Sequence, residues 1–257
     1  MALPYVPPST RQPRTMARST PSFPPASRRW IAIPGAVMPG YTTREVDVHV
    51  GNHNYRMRAL SDRQQFADPG QLAARAGISS SLWCLFGQLW PSGRVLAEAM
   101  STFEIADKRI LELGCGLGLS SLVLQRRRAD ITASDHHPLA ESFLQHNATR
   151  NLLPHVRYRD LRWEVPDDGL GRFDLIIGSD ILYEQGHAAL LAAMLVRHAQ
   201  PAAEILITDP GRGNSAAFTR ALVAQGYSVT EQRSRFDDDD HAPFRGRLLS
   251  YRRGPLQ

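Results

Sequence analysis

The chain has 257 residues and a formal net charge of +5, from 30 basic and 25 acidic side chains. This length fits one fairly large domain with an appendage. No apolar run approaches the roughly 20 residues that a membrane-spanning helix needs, so we expect no membrane segment. The excess positive charge lies in residues 1–30, which hold five arginines and no acidic residue. The remainder is neutral, which disfavours a nucleic-acid-binding surface.

Residues 1–30 also contain seven of the 18 prolines and no periodic apolar pattern. This composition predicts a disordered leader, followed by a single domain over residues 31–257. An arginine-rich, acid-free leader is also typical of a targeting peptide, although its prolines oppose the amphipathic helix of such a signal. Cys84 and Cys115 lie in an apolar segment and in a glycine turn, so we expect free thiols and a reducing, cytoplasmic compartment.

An N-terminal β-hairpin is predicted over residues 41–62. Residues 45–50 alternate between polar and valine side chains, residues 51–54 have turn chemistry, and residues 55–60 form a second strand. An isolated hairpin is unstable in water, so it should pack against the main domain. There it forms one wall of a substrate entrance or covers an edge of the core.

A predominantly apolar segment at residues 79–102 precedes the main pattern. It carries two tryptophans, a phenylalanine and several leucines. Pro91 and Gly93 interrupt it before a predicted helix at residues 94–100. Most of its apolar residues should belong to the core. We expect Trp90, beside the proline, to lie against a ligand instead.

The central motif is Arg-Ile-Leu-Glu-Leu-Gly-Cys-Gly-Leu-Gly-Leu-Ser at residues 109–120, a short strand, a glycine-rich turn and the start of a helix. Glycine lets the backbone approach a ligand closely, and the first N–H groups of the helix point to the same place. Gly118 follows Gly114 by four positions, whereas the dinucleotide-binding fingerprint needs five. The motif therefore indicates a nucleotide-like cofactor other than a dinucleotide.

From residue 109 onward, strands and helices alternate. We predict strands at residues 110–113, 131–134, 155–158, 173–178 and 203–208, and helices at residues 119–127, 138–147, 188–198 and 215–224. Two further strands at 227–235 and 247–251 have no helix between them and are joined through Asp237–Asp240, which we expect to be a solvated turn. This pattern predicts an α/β fold with a doubly wound, seven-stranded sheet whose last strand is antiparallel.

Polar residues follow the predicted strands at the edge where such sheets bind ligands. Asp135 ends the second strand, 21 positions beyond Gly114, and is placed to accept the hydroxyl groups of a ribose. Asp160 and Trp163 follow the third strand and would offer a polar group and an aromatic plane to an adenine.

Further polar residues follow the fourth and fifth strands. Ser179, Asp180 and Tyr183 interrupt an apolar run, which is costly unless a ligand or hydrogen bonds compensate. Asp209 ends the fifth strand, where it either faces an acceptor or caps the next helix.

The glycine turn, with Glu112 before it and Asp135 after it, resembles motif I and the acidic strand end of the class I, seven-β-strand, S-adenosylmethionine-dependent methyltransferases. Leu-Trp-Pro-Ser-Gly at residues 89–93 and Asp-Ile-Leu-Tyr at residues 180–183 resemble the protein-lysine methyltransferase family with an Asp-x-x-Tyr motif, within the nicotinamide N-methyltransferase-like group. The likeness extends from about residue 82 to residue 226.

This resemblance implies a Rossmann-like sheet, S-adenosylmethionine as cofactor, and methyl transfer to an amine nitrogen, in particular a protein lysine. It implies that the cofactor is contacted by Trp90, Gly114, Cys115, Gly116, Asp135, Trp163 and Ser179. By their positions beside these residues we add Glu112, Gly118, His136 and Asp160. Asp180 and Tyr183 would border the acceptor as catalytic residues, with Asp209 as a third. Residues 209–213 differ from several family members, which leaves the acceptor open.

Several alternatives remain open. A small amine or heteroaromatic nitrogen is the other acceptor class, and a cofactor-binding module without catalysis is the main alternative to an enzyme. An NAD-linked oxidoreductase would need the other glycine spacing. A nucleic-acid methyltransferase is disfavoured because no Asn/Asp-Pro-Pro-Tyr/Phe tetrapeptide follows the fourth strand. The histidines lack the spacing of metal ligands, and the sequence does not indicate an oligomeric state.

Overall fold

The computed structural model describes residues 41–66, 68, 70–236 and 244–254. The predicted leader at residues 1–30 and the Asp237–Asp240 turn lie outside these ranges. The elements before the central motif are β1 (Thr43–Val50), β2 (His53–Leu60), α1 (Leu72–Ala76), α2 (Ser80–Trp83) and α3 (Pro91–Thr102). β1 and β2 pair as the predicted antiparallel hairpin.

The central part follows the predicted alternation of strands and helices. Its elements are β3 (Arg109–Leu113), α4 (Leu119–Arg126), β4 (Asp130–Asp135), α5 (Ala140–Arg150), β5 (Arg157–Asp160), β6 (Phe173–Ser179), α6 (His187–His198), β7 (Ala199–Asp209), α7 (Ser215–Ala224), β8 (Ser228–Phe236) and β9 (Phe244–Arg252). They form a seven-stranded sheet of order β5-β4-β3-β6-β7-β9-β8. β9 lies between β7 and β8 and is antiparallel to both. The predicted Rossmann-like sheet with a reversed last strand is confirmed.

Helices cover both faces of this sheet. Alternate residues of β3 lie in separate clusters of buried side chains, with Ile110 in the cluster that holds the hairpin, α3, α4 and α5, and Leu111 in the cluster of α6 and α7. Strands buried on both faces have continuous apolar sequences, which explains the runs in β3 and β6. The strand order reverses between β3 and β6, and ligands of such sheets bind at the carboxyl ends beside this point.

α3 begins earlier than predicted, because its proline starts the helix instead of breaking the chain. Pro91 occupies the first turn, where the missing N–H costs nothing, and Trp90 is the N-cap residue. The first turn of α3 lies at the carboxyl ends of two strands. The hydroxyl of Thr208 in β7 donates to the carbonyl of Ser92 at 2.9 Å, and Gly93 approaches Ser179 of β6. Because α3 begins at Pro91, Trp90 lies beside the carboxyl edge of the sheet.

The hairpin docks through two buried asparagines, Asn147 in α5 and Asn151 directly after the last residue of that helix. The side-chain oxygen of Asn147 accepts the N–H of Arg58 at 2.7 Å, and that of Asn151 accepts the N–H of Arg56 at 2.9 Å. Their amide groups donate to the carbonyls of the same two β2 residues at 3.4 and 2.8 Å. The two side chains thus complete the free edge of β2 in the way that a neighbouring strand would.

Among the helices of the described ranges, none has the length and apolarity that a membrane crossing requires.

We predict that Asn147→Ala lowers the free energy of unfolding by about 3 kcal/mol, since it leaves buried backbone groups of β2 without partners. Asn147 also donates to the carbonyl of Leu117, so the loss extends to the glycine turn. Urea unfolding measures the change. Thr149→Ala, on the exposed side of the same helix, is the control, and equal losses in both variants would contradict this role.

Candidate functional site

A cavity of about 350 Å³ opens at the carboxyl ends of β3, β4 and β6. Its volume lies in the range of small-molecule sites, about 300–1,000 Å³. The predicted site residues that line it are Trp90, Glu112, Gly114, Cys115, Gly116, Gly118, Asp135, His136, Trp163, Ser179, Asp180 and Tyr183. The described residues of the hairpin do not line the cavity, so the hairpin covers α5 rather than forming a wall of the entrance.

The glycine turn forms one wall of the cavity in a conformation that side chains disfavour. The φ angles of Gly114, Gly116 and Gly118 are 61°, 52° and 82°. A Cβ atom on Gly116 would lie 2.8 Å from the carbonyl oxygen of Phe86, and one on Gly118 would lie 2.1 Å from a methyl of Leu144. Both positive φ and close packing therefore require glycine here, and the bare backbone faces the cavity.

Asp135 links the glycine turn to the end of β4. Its Oδ2 accepts the N–H of Gly116 and its Oδ1 accepts the N–H of His137, both at 2.9 Å. The side chain is buried yet lines the cavity. A carboxylate has about four lone-pair sites, so each oxygen can still accept a hydroxyl hydrogen of a ligand. The geometry fits the ribose-binding role that we predicted for this residue.

Glu112 is a buried carboxyl group at the base of the cavity. The hydroxyl of Ser121 in α4 donates to it. Burial, reinforced by the charge of Asp135, raises the pKa of Glu112 to about 7, although the hydrogen bonds from α4 oppose this shift. At neutral pH this group is therefore poised between its neutral and charged forms, and a nearby cation would favour the charged form.

The rings of Tyr183 and Trp163, which line the cavity, both pack against the ring of His187. The centroids of the His187 ring and the Tyr183 ring are 4.8 Å apart, and those of His187 and Trp163 are 5.1 Å apart, both edge to face. His187 is fixed by a hydrogen bond from Nδ1 to the carbonyl of Ile181 at 3.0 Å. Burial raises the pKa of Tyr183 to about 12, so its hydroxyl stays protonated at neutral pH.

Asp180 is held by an arginine that the sequence analysis did not predict. Arg212 donates from Nε to Oδ1 at 2.7 Å and from Nη2 to Oδ2 at 2.6 Å. The side chain of Asp180 is 12% exposed and that of Arg212 is 45% exposed. Asp180 also has a left-handed backbone, with φ of 52°, held by its N–H bond to the carbonyl of Thr208. An arginine between two glycines after β7 was the available signal.

A second residue that the sequence analysis missed is His137, which lines the cavity with Phe86. Their rings are stacked with centroids 3.7 Å apart, and Trp83 packs against the same imidazole. Burial lowers the pKa of His137 to about 3, so the ring is neutral. These rings form an apolar wall beside the glycine turn.

Asp160 and Asp209 are the two predicted site residues that the structure does not place in the lining of the cavity. Asp160 ends β5 in register with Asp135, but it is exposed and is not part of the lining. Asp209 is 2% exposed and faces β9, where its Oδ2 lies 3.4 Å from Nε of Arg247. Its Oδ1 accepts the N–H of Gly211 at 3.0 Å, so Asp209 supports the loop that carries Arg212.

The polar groups that line the cavity are held in place by hydrogen bonds from the protein. Burial raises the pKa of Cys115 well above its ordinary value, so its thiol is not activated. Within the part of the chain that the structure describes, no three His, Cys, Asp or Glu side chains are grouped to hold a metal ion.

We predict that Glu112→Gln changes the pH dependence of stability. Because the pKa of Glu112 is about 7, the folded protein keeps a proton that the unfolded chain loses near pH 4.5. Stability therefore falls as pH rises through this interval, and the variant escapes the loss. Relative to the wild type, the free energy of unfolding of the variant should rise by about 3 kcal/mol between about pH 5 and pH 8. Urea unfolding across this range tests it, and parallel curves would contradict it.

Comparison with known proteins gives a match over the same region. Residues 82–221, more than half of the chain, match the model of a family described as lysine methyltransferase. Protein-lysine methyltransferase METTL21E from Bos taurus is 33% identical over 121 residues, which are 41% of this chain and 41% of that protein. EEF1A lysine methyltransferase 3 from Mus musculus is 24% identical over 193 residues, 72% of this chain and 80% of that protein.

The chain thus spans less than half the length of the METTL21E relative. Among solved structures, an S-adenosylmethionine-dependent methyltransferase from Methanosarcina mazei superposes with a TM-score of 0.51 at 13% identity. The superposition covers 66% of this chain and 100% of that one, and it supports the fold alone. The family match spans the glycine turn, the acidic end of β4 and the Asp-Ile-Leu-Tyr segment, and by this match the chain belongs to the lysine methyltransferase family.

Proposed function

We propose that this protein transfers a methyl group from S-adenosylmethionine to the amine nitrogen of a lysine side chain in a protein substrate. The proposal is carried by one observation: residues suited to a nucleoside and residues suited to an amine line the same cavity. The glycine turn and Asp135 suit a nucleoside, and Asp180 and Tyr183 suit an amine. The family match and the relatives that are named protein-lysine methyltransferases support the choice of acceptor.

The residues of the cavity fit the cofactor. The turn at Gly114–Gly118 presents bare backbone to the cavity, Asp135 has free lone pairs for ribose hydroxyls, and Glu112 offers a carboxyl group to an ammonium. Trp163 provides an aromatic plane and Trp90 an indole whose Nε1 donates to the carbonyl of Leu85 at 2.9 Å. We propose that the cofactor site consists of the turn at Gly114–Gly118, which includes Cys115, and of the lining residues Trp90, Glu112, Asp135, His136, Trp163 and Ser179.

When bound, S-adenosylmethionine supplies a methyl group on positively charged sulfur, so the amine lone pair forms the N–C bond as the C–S bond breaks and leaves its electron pair on sulfur. The protein has to position the amine and exclude water. A free lysine amine has a pKa of about 10.4, and an apolar wall such as Phe86 and Leu89 lowers it by disfavouring the charged form. We propose that the protonated hydroxyl of Tyr183 and the carboxylate of Asp180 orient the amine.

The remaining expectations about the protein's surroundings are also proposals. We propose a cytoplasmic protein, which is supported by two free, buried cysteines, Cys84 and Cys115. The substrate would be a protein rather than a nucleic acid, since the chain outside residues 1–30 carries no net charge.

We predict that Asp135→Asn weakens the binding of S-adenosylmethionine at least about tenfold, because charge-assisted hydrogen bonds to the ribose and the glycine turn are lost. Isothermal titration calorimetry measures the affinity. Asp160→Asn is a matched control, since it removes a carboxylate from the adjacent strand end, outside the cavity. Equal affinities for the wild type and the Asp135 variant would contradict the proposed cofactor site.

The acceptor is tested by incubating the protein with S-adenosylmethionine carrying a radioactive methyl group and a fractionated cell lysate. Label in a protein band that yields methyl-lysine on hydrolysis is the expected result. Tyr183→Phe should reduce the labelling rate at least about tenfold, as expected for loss of a positioning hydrogen bond. Label in small molecules would favour a small amine as substrate, and label in RNA would overturn the proposal.

A further inference from the structure

The Asp180–Arg212 pair changes what Asp180 can do at the acceptor side of the cavity. Both carboxylate oxygens receive a guanidinium hydrogen at 2.6–2.7 Å, in the parallel, two-bond arrangement that fixes a carboxylate most firmly. The pair carries no net charge. Both residues line the cavity together with Tyr183, so the neutralisation takes place where the amine is proposed to react.

We infer that Arg212 sets the charge preference of the acceptor site: by neutralising Asp180 it makes the site select an uncharged amine nitrogen rather than an ammonium. This inference rests on the proposed amine methylation and deepens it. Arg212 acts through Asp180 and is therefore a positioning residue.

Methyl transfer requires that the acceptor amine be uncharged, and the neutralised Asp180 favours this form. An ammonium has no lone pair and cannot attack a methyl group, and an unpaired carboxylate beside it would stabilise that unreactive form. With Arg212 in place, each oxygen of Asp180 keeps a lone pair that can accept one N–H of a neutral amine. The carboxylate then orients the amine without holding its proton.

The loop that carries Arg212 is built to present it. Gly211 and Gly213 flank the arginine with φ angles of 93° and 91°, and the space that a Cβ would occupy on either is open. The N–H of Gly211 bonds to Asp209, which is itself 3.4 Å from Arg247. The buried aspartate that ends β7 therefore anchors the loop while Arg212 reaches across to β6.

Other charged and titratable groups at this side of the cavity do not replace Arg212. Burial raises the pKa of Asp180, and Arg212 opposes this rise more strongly than any other group. Asp209 raises the same pKa, and Glu184 and Asp135 act on Tyr183 in the same direction. Asp209 and Tyr183 also act on Arg212, while His187 lies 3.4 Å from Glu184 and Arg247 lies 3.4 Å from Asp209. Arg247 is occupied by Asp209 and Glu231, and among the residues that the structure describes Arg212 is the cation paired with Asp180.

A binding test needs no knowledge of the acceptor. Sinefungin carries an amine where S-adenosylmethionine carries its methyl group, whereas S-adenosylhomocysteine carries neither. In Arg212→Met the unpaired Asp180 should attract this ammonium, so sinefungin should bind about tenfold more tightly than to the wild type while the affinity for S-adenosylhomocysteine stays unchanged. Isothermal titration calorimetry with both ligands gives the ratio of the two affinities.

Three further variants separate charge from structure. Arg212→Lys keeps the positive charge, so the ratio of the two affinities should equal that of the wild type. The double variant Arg212→Met with Asp180→Asn removes both charges, so its ratio should also return to the wild-type value. Arg252→Met removes an exposed arginine whose partner, Glu204, lies outside the cavity, so its ratio should equal that of the wild type. An unchanged ratio in Arg212→Met, or the same ratio in Arg212→Met and the double variant, would overturn the inference.

A pH profile gives a second measurement on the labelled protein substrate. The midpoint of the rise of kcat with pH should move upward by about one unit in Arg212→Met, because the amine then holds its proton more tightly. The double variant should return the midpoint to the wild-type value. Absence of any protein labelling by the wild type would contradict the proposed function, whereas labelling with an unshifted midpoint in Arg212→Met would contradict the inference alone.

Discussion

The clamp between Asp135 and two backbone N–H groups is the interaction on which the site depends. One oxygen accepts the N–H of Gly116 in the turn after β3, and the other accepts the N–H of His137 in the segment between β4 and α5. This carboxylate therefore fixes the distance between the ends of two neighbouring strands. Its position follows from the sheet, since parallel strands in register bring their carboxyl ends to one edge. The cavity takes its shape from that edge.

The acceptor side is organised by a different kind of contact. Asp180 occupies a left-handed conformation directly after β6, held by backbone pairing to β7 and by the guanidinium of Arg212. A non-glycine residue in this region stores backbone strain, and such strain persists only where surrounding contacts compensate. The compensation comes from Thr208 near the end of β7 and from Arg212 in the loop that follows, so Asp180 links the end of β6 to the neighbouring strand.

Much of the fold and part of the site could be predicted from the sequence. Strand and helix periodicity and the reversed final hairpin are local signals, and the order and pairing of the elements confirm both. The contacts of Arg212 could not be predicted, because a loop arginine and a strand-end aspartate 32 positions apart carry no joint local signal. The sequence places Asp209 at the correct edge of the sheet but does not show that its side chain faces Arg247.

The docking of the hairpin on α5 also fixes the alignment of β2 along the helix. Asn147 and Asn151 are one four-residue step apart along the helix, a rise of about 6.0 Å, and Arg56 and Arg58 are one two-residue step apart along β2, about 6.7 Å. The two spacings match closely enough for both amides to engage at once. A slip of β2 by a single residue would exchange its inner and outer side chains and break both contacts, so the hairpin has one permitted alignment on its helix.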